Sequence, residues 1–345
     1  MRPSCPVALL LAGLLSMASA SEPHAQSVAG YDRLDVRADH RADLLAASVW
    51  YPVGTPTYRG LIGDNPVFRG TPVFVGAGIA EGRHPLVLLS HGSGGNMDSL
   101  GWLASGLVED GAMVLAVNHP GSTSGDSSPR RSLRLAERAA DLGAALDALL
   151  ADPAFAPFVD PGRIAALGFS LGGATALNLA GMRLDADAYA DYCEALDGRA
   201  LDCLFFARGG VDLRALPASF EADMRDPRIT SAIAVDPAFT YAASGESLAA
   251  MTLPVLLISL GDGEDRLPAG DVGPDGSDLT GKLPDVRHEV IAPASHFTFL
   301  APCKPAGSAI LAEEAEDPVC DDPPGTRREQ VHRAIVDRVA AFLGL

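Results

Sequence analysis

"RIAALGFSLGGATALNLAG", residues 163–181, joins an apolar run to a helix-forming run through one serine set between glycines. Residues 163–169 are nearly continuously apolar, as in a strand covered on both faces, and residues 174–181 read as a helix. Between them, Gly168-Phe169-Ser170-Leu171-Gly172 is a G-x-S-x-G pattern, extended by Gly173. A serine in that place occupies a strained strand-to-helix turn, and neighbours without a β-carbon let strand and helix approach closely. The helix N-terminus then faces the reacting carbonyl and favours negative charge there. Ser170 is therefore the candidate nucleophile, and it needs a base, an acid and an oxyanion site from elsewhere in the chain.

The flanking sequence supplies a frame for such a turn. "YDRLDV" (31–36) and "AASVWYP" (46–52) read as an opening antiparallel pair. Six apolar runs follow, at 85–91, 112–118, 163–169, 230–236, 254–260 and 286–292. Leu135, Leu142, Leu146 and Leu149 put an apolar stripe on a helix near 133–151, and Val331, Ile335, Val339 and Phe342 do so for a closing helix. Thr326 and Glu329 form a capping-box pattern at its start. The alternation predicts one α/β domain over 21–345, a mostly parallel, doubly wound sheet of about eight strands. Two segments break it. Residues 53–84, rich in glycine and proline, are expected to wrap the surface, and residues 182–228 to form a cap insertion at the carboxyl edge of the sheet.

Composition narrows the class. The chain has 345 residues, is 48% hydrophobic and carries a formal net charge of −18, which argues against nucleic acid or anionic membrane surfaces as partners. "MRPSCPVALLLAGLLSMASA" (1–20) has the positive start, short apolar core and small-residue cleavage site of a secretory signal. Its apolar run is too short to span a bilayer, so an exported protein, periplasmic or extracellular, is expected. Four cysteines remain after such a cleavage, and proximity favours the pairs Cys193–Cys203 and Cys303–Cys320. No histidines sit at ligand spacing beside them, so zinc is not expected.

For the base, the order serine, acid, histidine leaves His288, His296 and His332. His288 lies in a strand pattern and His332 on the polar side of the last helix. His296, in "APASHFTFLAPC", lies just past the last strand, within reach of Ser170. The acid is open between Asp236, which ends an apolar strand, and Asp265 or Asp262 in the loop after the next one. Asp236 is preferred, because an unpaired carboxylate on an apolar strand would be expensive to bury. The oxyanion donors are expected to be the N–H of Leu171 and that of Ser93, in the glycine-rich turn of "LLSHGSGGN" (88–96), with His91 packing behind.

With these residues placed, the chain resembles the α/β-hydrolase superfamily, and within it the bacterial "predicted dienelactone hydrolase" group, which is similar to platelet-activating-factor acetylhydrolases. The resemblance runs from about residue 31 to the C-terminus and rests on "VWYP", "PLVLLSHGSGG", "VNHPGSTSGD", "GFSLGGATAL", "AVDPAF" and "SHFTFLAPC". It implies hydrolysis of small-molecule esters or lactones without a metal or organic cofactor. The acetylhydrolase-like members place their acid at the position matching Asp236, others after the next strand. A true dienelactone hydrolase uses a cysteine where this chain has Ser170. The same triad would also serve an acyltransferase, an amidase or a peptidase, whereas a non-catalytic binding protein on this fold would not need both Ser170 and His296.

Overall fold

The computed structural model describes Met1, residues 28–196 and residues 200–345; beyond Met1, the expected signal segment lies outside them. Ten strands form one sheet. The first five are β1 (Gly30–Val36), β2 (Leu45–Tyr51), β3 (Tyr58–Ile62), β4 (Thr71–Val75) and β5 (His84–Ser90). The others are β6 (Met113–Val117), β7 (Val159–Phe169), β8 (Ser231–Val235), β9 (Val255–Leu260) and β10 (Val286–Ile291). Their order is β10-β9-β8-β7-β5-β6-β2-β1-β4-β3. The run from β10 to β6 is parallel, and β2 pairs antiparallel with both β6 and β1.

The packing explains the continuous apolar runs. Leu86 and Leu88 of β5 face one core, whereas Val87 and Leu89 face the other. Helices α1 (Gly101–Glu109) and α6 (Arg328–Leu343) cover the second face; α2 (Leu135–Ala151) and α3 (Leu171–Ala180) cover the first. Leu135, Leu142, Leu146 and Leu149 are fully buried. Between α3 and β8 lie α4 (Ala186–Ala195) and α5 (Leu201–Arg208), both inside the 182–228 segment.

Three expectations change. Residues 53–84 do not merely wrap the surface. They supply β3 and β4, an antiparallel hairpin at the sheet edge that β1 joins through Gly30 and Tyr31, which takes the sheet from about eight strands to ten. Each has only five residues, and Gly60 and Pro72 interrupt the apolar pattern. The capping box at Thr326 does not form: the helix starts at Arg328, with Arg327 at its N-cap and the Thr326 hydroxyl buried without a partner. Arg328 is drawn inward to Asp322 and to the carbonyls of Val319 and Ala301, and so fixes the helix start.

His332 is not on the surface. It is buried against the turn His296–Phe299, with Nε2 3.0 Å from the Thr298 carbonyl and its ring stacked 3.7 Å from that of Trp102. Burial pulls its pKa from 6.5 down to about 4. The unfolded chain therefore takes up this proton near pH 6.5 and the folded one only near pH 4. Stability from His332 is complete above about 6.5 and falls as pH drops toward 4, by roughly 3 kcal/mol in all. Urea unfolding across this window should show that loss, and a folded His332→Phe variant should have a shallower slope by one proton.

Candidate active site

Ser170 is the single residue between β7 and α3. Its φ of 54° and ψ of −119° lie where residues with a side chain are rarely found, at a cost of about 1–3 kcal/mol. Hydrogen bonds on both sides hold it there. Its N–H donates to the Val235 carbonyl at 2.9 Å, and its carbonyl accepts from Ala174 N–H at 3.2 Å and Ala238 N–H at 3.0 Å. The motif glycines serve proximity: a β-carbon on Gly172 would lie 2.0 Å from the Ser90 carbonyl oxygen, and one on Gly168 1.9 Å from that of Gly172. The Ser170 hydroxyl forms no hydrogen bond among the described residues and faces a cavity that His296 also lines.

Asp236 follows β8 with a φ of 41° and is 2% exposed. Its Oδ1 accepts from Leu260 N–H at 2.8 Å, and its Oδ2 lies 3.1 Å from His296 Nδ1. With the carboxylate accepting, Nδ1 is the donor in this contact, and Nε2 is the ring nitrogen turned away from Asp236. Asp262 and Asp265 are exposed in the turn after β9 and do not bond His296, while His288 on β10 pairs with Ser259 at 3.0 Å. The Phe169 ring lies 4.5 Å from the His296 ring and stacks on Phe299 at 4.0 Å.

A polar chain anchors the turn that carries His296. Thr298 Oγ1 accepts from Ser295 N–H at 2.9 Å and donates to Asp322 Oδ1 at 2.8 Å. Arg328, 6% exposed, grips both oxygens of Asp322 at 2.8 and 3.0 Å.

Ser93 and Leu171 both line the cavity, and neither N–H makes a backbone hydrogen bond among the described residues. His91, fully buried behind them, does more than pack. Its Nδ1 donates to the Gly92 carbonyl at 2.7 Å, and its Nε2 accepts from His119 N–H at 3.2 Å. Burial first, and then the Arg138 charge, holds its pKa well below 6.5, so the ring is neutral. The Gly92 carbonyl belongs to the peptide whose N–H is that of Ser93, so this bond sets the tilt of that N–H. Sequence reasoning missed Arg138, Asp141 and His119. The available signal was Arg138 and Asp141 lying on the stripe of Leu135, Leu142 and Leu149.

The cavity, about 960 Å³, is walled largely by apolar side chains. Tyr189 on α4 and Leu204, Phe205 and Phe206 on α5 form one side; Leu300 and Val319 contribute from the C-terminal part. Both favoured cysteine pairs are bonded, and both brace these walls: Cys193–Cys203 ties α4 to α5, and Cys303–Cys320 closes the loop that holds Val319. Among the described residues no group of three His, Cys, Asp or Glu is placed to hold a metal ion.

A family model described as the alpha/beta hydrolase family matches residues 86–305, which include Ser170, Asp236 and His296. The chain belongs to this family. Among solved structures, a ferulic acid esterase from Streptomyces cinnamoneus is similar over 94% of this chain and 91% of that one, with a TM-score of 0.58 and 20% identity. A dienelactone hydrolase from Anabaena variabilis ATCC 29413 is similar over 83% of this chain and 95% of its own, with a TM-score of 0.45 and 16% identity. At such identities the likeness is one of fold. No curated protein matches the sequence.

The anchoring of the histidine turn in this α/β hydrolase can be measured. Thr298→Val leaves the Ser295 N–H without a partner and removes one of the two donors to Asp322 Oδ1, the other being Arg328, and should destabilise the protein by about 1–3 kcal/mol. The urea midpoint should fall with the slope unchanged, and Asp322→Asn should add less than its full separate effect to the double variant.

Proposed function

We propose that this hydrolase cleaves carboxylic esters or lactones through an acyl-enzyme on Ser170, with His296 as general base and Asp236 as its orienting acid. The observation that carries the reading is the 3.1 Å contact between Asp236 Oδ2 and His296 Nδ1, beside the strained serine turn. His296 Nε2 takes the Ser170 proton as Oγ bonds to the ester carbonyl carbon. The carbonyl oxygen becomes an oxyanion held by the N–H groups of Leu171 and Ser93. Collapse of the tetrahedral adduct breaks the bond to the alkoxy oxygen, which leaves with the proton from His296. Water then gives a proton to His296 and attacks the acyl carbon, and the second adduct collapses to the carboxylic acid as Ser170 Oγ leaves and takes that proton back from His296. Asp236 keeps the imidazole in one tautomer and stabilises its charged form without taking the proton.

The cavity supports a small-molecule ester with an apolar part of small to medium size, and we read residues 182–228 as a cap over it. Export fits the apolar leader at residues 1–20 and the two disulfides. No described helix is long and apolar enough to cross a membrane.

A graded series of p-nitrophenyl esters, with matched amides and added alcohols, tests this reading. Ser170→Ala should lower kcat by about 10⁶-fold and Asp236→Asn by about 10⁴-fold. Asp262→Asn and Asp265→Asn should stay near wild type. Full turnover by Ser170→Ala would sink the scheme, and a large loss in Asp265→Asn with none in Asp236→Asn would move the acid. Preference for amides, or for acyl transfer to alcohols over water, would replace the ester-hydrolase assignment.

A further inference from the structure

Arg138 lies on the buried stripe of α2 and is 2% exposed, yet among the described residues no carboxylate is hydrogen-bonded to it. Its fork is spent on neutral oxygens instead. Nε donates to Thr175 Oγ1 at 3.0 Å, Nη1 to Ser122 Oγ at 2.5 Å, and Nη2 to Ser90 Oγ at 3.0 Å and to the His91 carbonyl. Asp141, one turn along α2, faces His119, His40 and Arg41. A buried guanidinium without a direct ion pair is a poor route to stability, because desolvation of the charge is only partly repaid by neutral acceptors. What it gains here is geometry, since a planar fork fixes several directions at once.

Those directions end on peptides adjacent to the two N–H groups assigned to the oxyanion. Thr175 Oγ1, which accepts from Arg138, donates to the Leu171 carbonyl at 3.0 Å. On the other side Arg138 holds the His91 carbonyl, the start of the turn that presents Ser93. The bonds around it run in one sense. His119 Nδ1 donates to Asp141 at 2.9 Å, and Ser90 Oγ, which accepts from Arg138, donates to His119 Nε2 at 3.0 Å. The His119 backbone N–H in turn holds His91. Each nitrogen of the Arg138 fork has a partner, and so does each ring nitrogen of His91 and His119, so the bonds support one another.

We infer that Arg138 is the positioning residue of the oxyanion site: its fork sets the spacing between the Ser93 turn and the Leu171 end of α3, and with it the aim of both N–H donors. The inference rests on the proposed ester hydrolysis at Ser170. It adds that the donors are aligned from behind, by a charge that touches neither substrate nor reacting atoms. A displacement of about 1 Å in such donors is enough to cost on the order of 10²-fold in rate.

The test uses the full chain with Arg138→Met and Arg138→Lys beside wild type and Ser170→Ala. Three quantities are read: thermal unfolding, kcat and KM on one p-nitrophenyl ester, and inhibition by an alkyl boronic acid against the matching carboxylic acid. The boronic acid forms a tetrahedral adduct on the serine whose oxygen occupies the oxyanion site; the carboxylic acid reports ground-state binding. In folded Arg138→Met, kcat should fall about 10²-fold with KM nearly unchanged. Boronate affinity should fall in step while carboxylic acid affinity holds. Arg138→Lys, which keeps the charge but not the fork, should recover part of both losses. If Arg138→Met does not fold, the Lys variant carries the test through a smaller, parallel loss in kcat and boronate affinity. A folded variant with lower stability but unchanged kcat and boronate affinity overturns the inference, as does an equal loss of boronate and carboxylic acid binding. Turnover retained by Ser170→Ala would instead overturn the hydrolytic scheme, so the two failures are distinguishable.

Discussion

The Ser90 carbonyl oxygen lies where a β-carbon on residue 172 would have to be, 2.0 Å from that position. That approach of α3 to the end of β5 is what the rest of the site is built on. It brings the N-terminus of α3 beside the turn after β5, so Ser93 and Leu171 line one cavity. It also confines the link from β7 to a single residue, which forces Ser170 into a conformation that only its bonds to Val235, Ala174 and Ala238 can hold. The strain is local and the support comes from three elements, the usual condition under which such a conformation persists.

Two buried arginines then brace the two halves of the site from opposite faces of the sheet. Arg138 lies on the α2 side and gathers Ser90, His91, Ser122 and Thr175 around the turn that holds Ser93. Arg328 lies on the α6 side and, through Asp322 and Thr298, fixes the turn that begins with His296. The two differ in chemistry. Arg328 is paired to a carboxylate, whereas Arg138 has only neutral acceptors, and burial draws its pKa down to about 9. The cavity walls add a third kind of constraint, since each disulfide braces a segment that meets the cavity.

Much of this was legible along the chain. All eight runs read as strands are strands; the central ones stand out because doubly covered strands are apolar at consecutive positions, whereas β1 and β10 are partly exposed. The Ser170 turn was legible because both close approaches demand glycine at neighbouring positions. Asp236 and His296 meet as the strand ends suggested, since parallel neighbours bring their carboxyl ends to one edge. The hairpin of β3 and β4 was not legible: its short strands lie at an edge where half-exposed residues blur the period of two. His332 was misread for a related reason. Helical spacing gives a residue's angle on α6, but not which neighbour the turn at His296–Phe299 would lay against that angle.

Sequence by itself thus determined the sheet class and the tight turn at Ser170, favoured the local cysteine pairs, and narrowed the candidates for base and acid to a short set. Each follows from near neighbours in the chain, where glycine, period and spacing act directly. Tertiary structure alone decided which aspartate meets His296, that His91 orients the Gly92–Ser93 peptide, and that Arg138 and Arg328 are buried braces. Those outcomes depend on partners up to dozens of residues away, and burial changes what a side chain does. The same guanidinium that would be a solvated charge on an exposed helix face becomes, between α2 and the end of β5, a rigid fork with fixed directions.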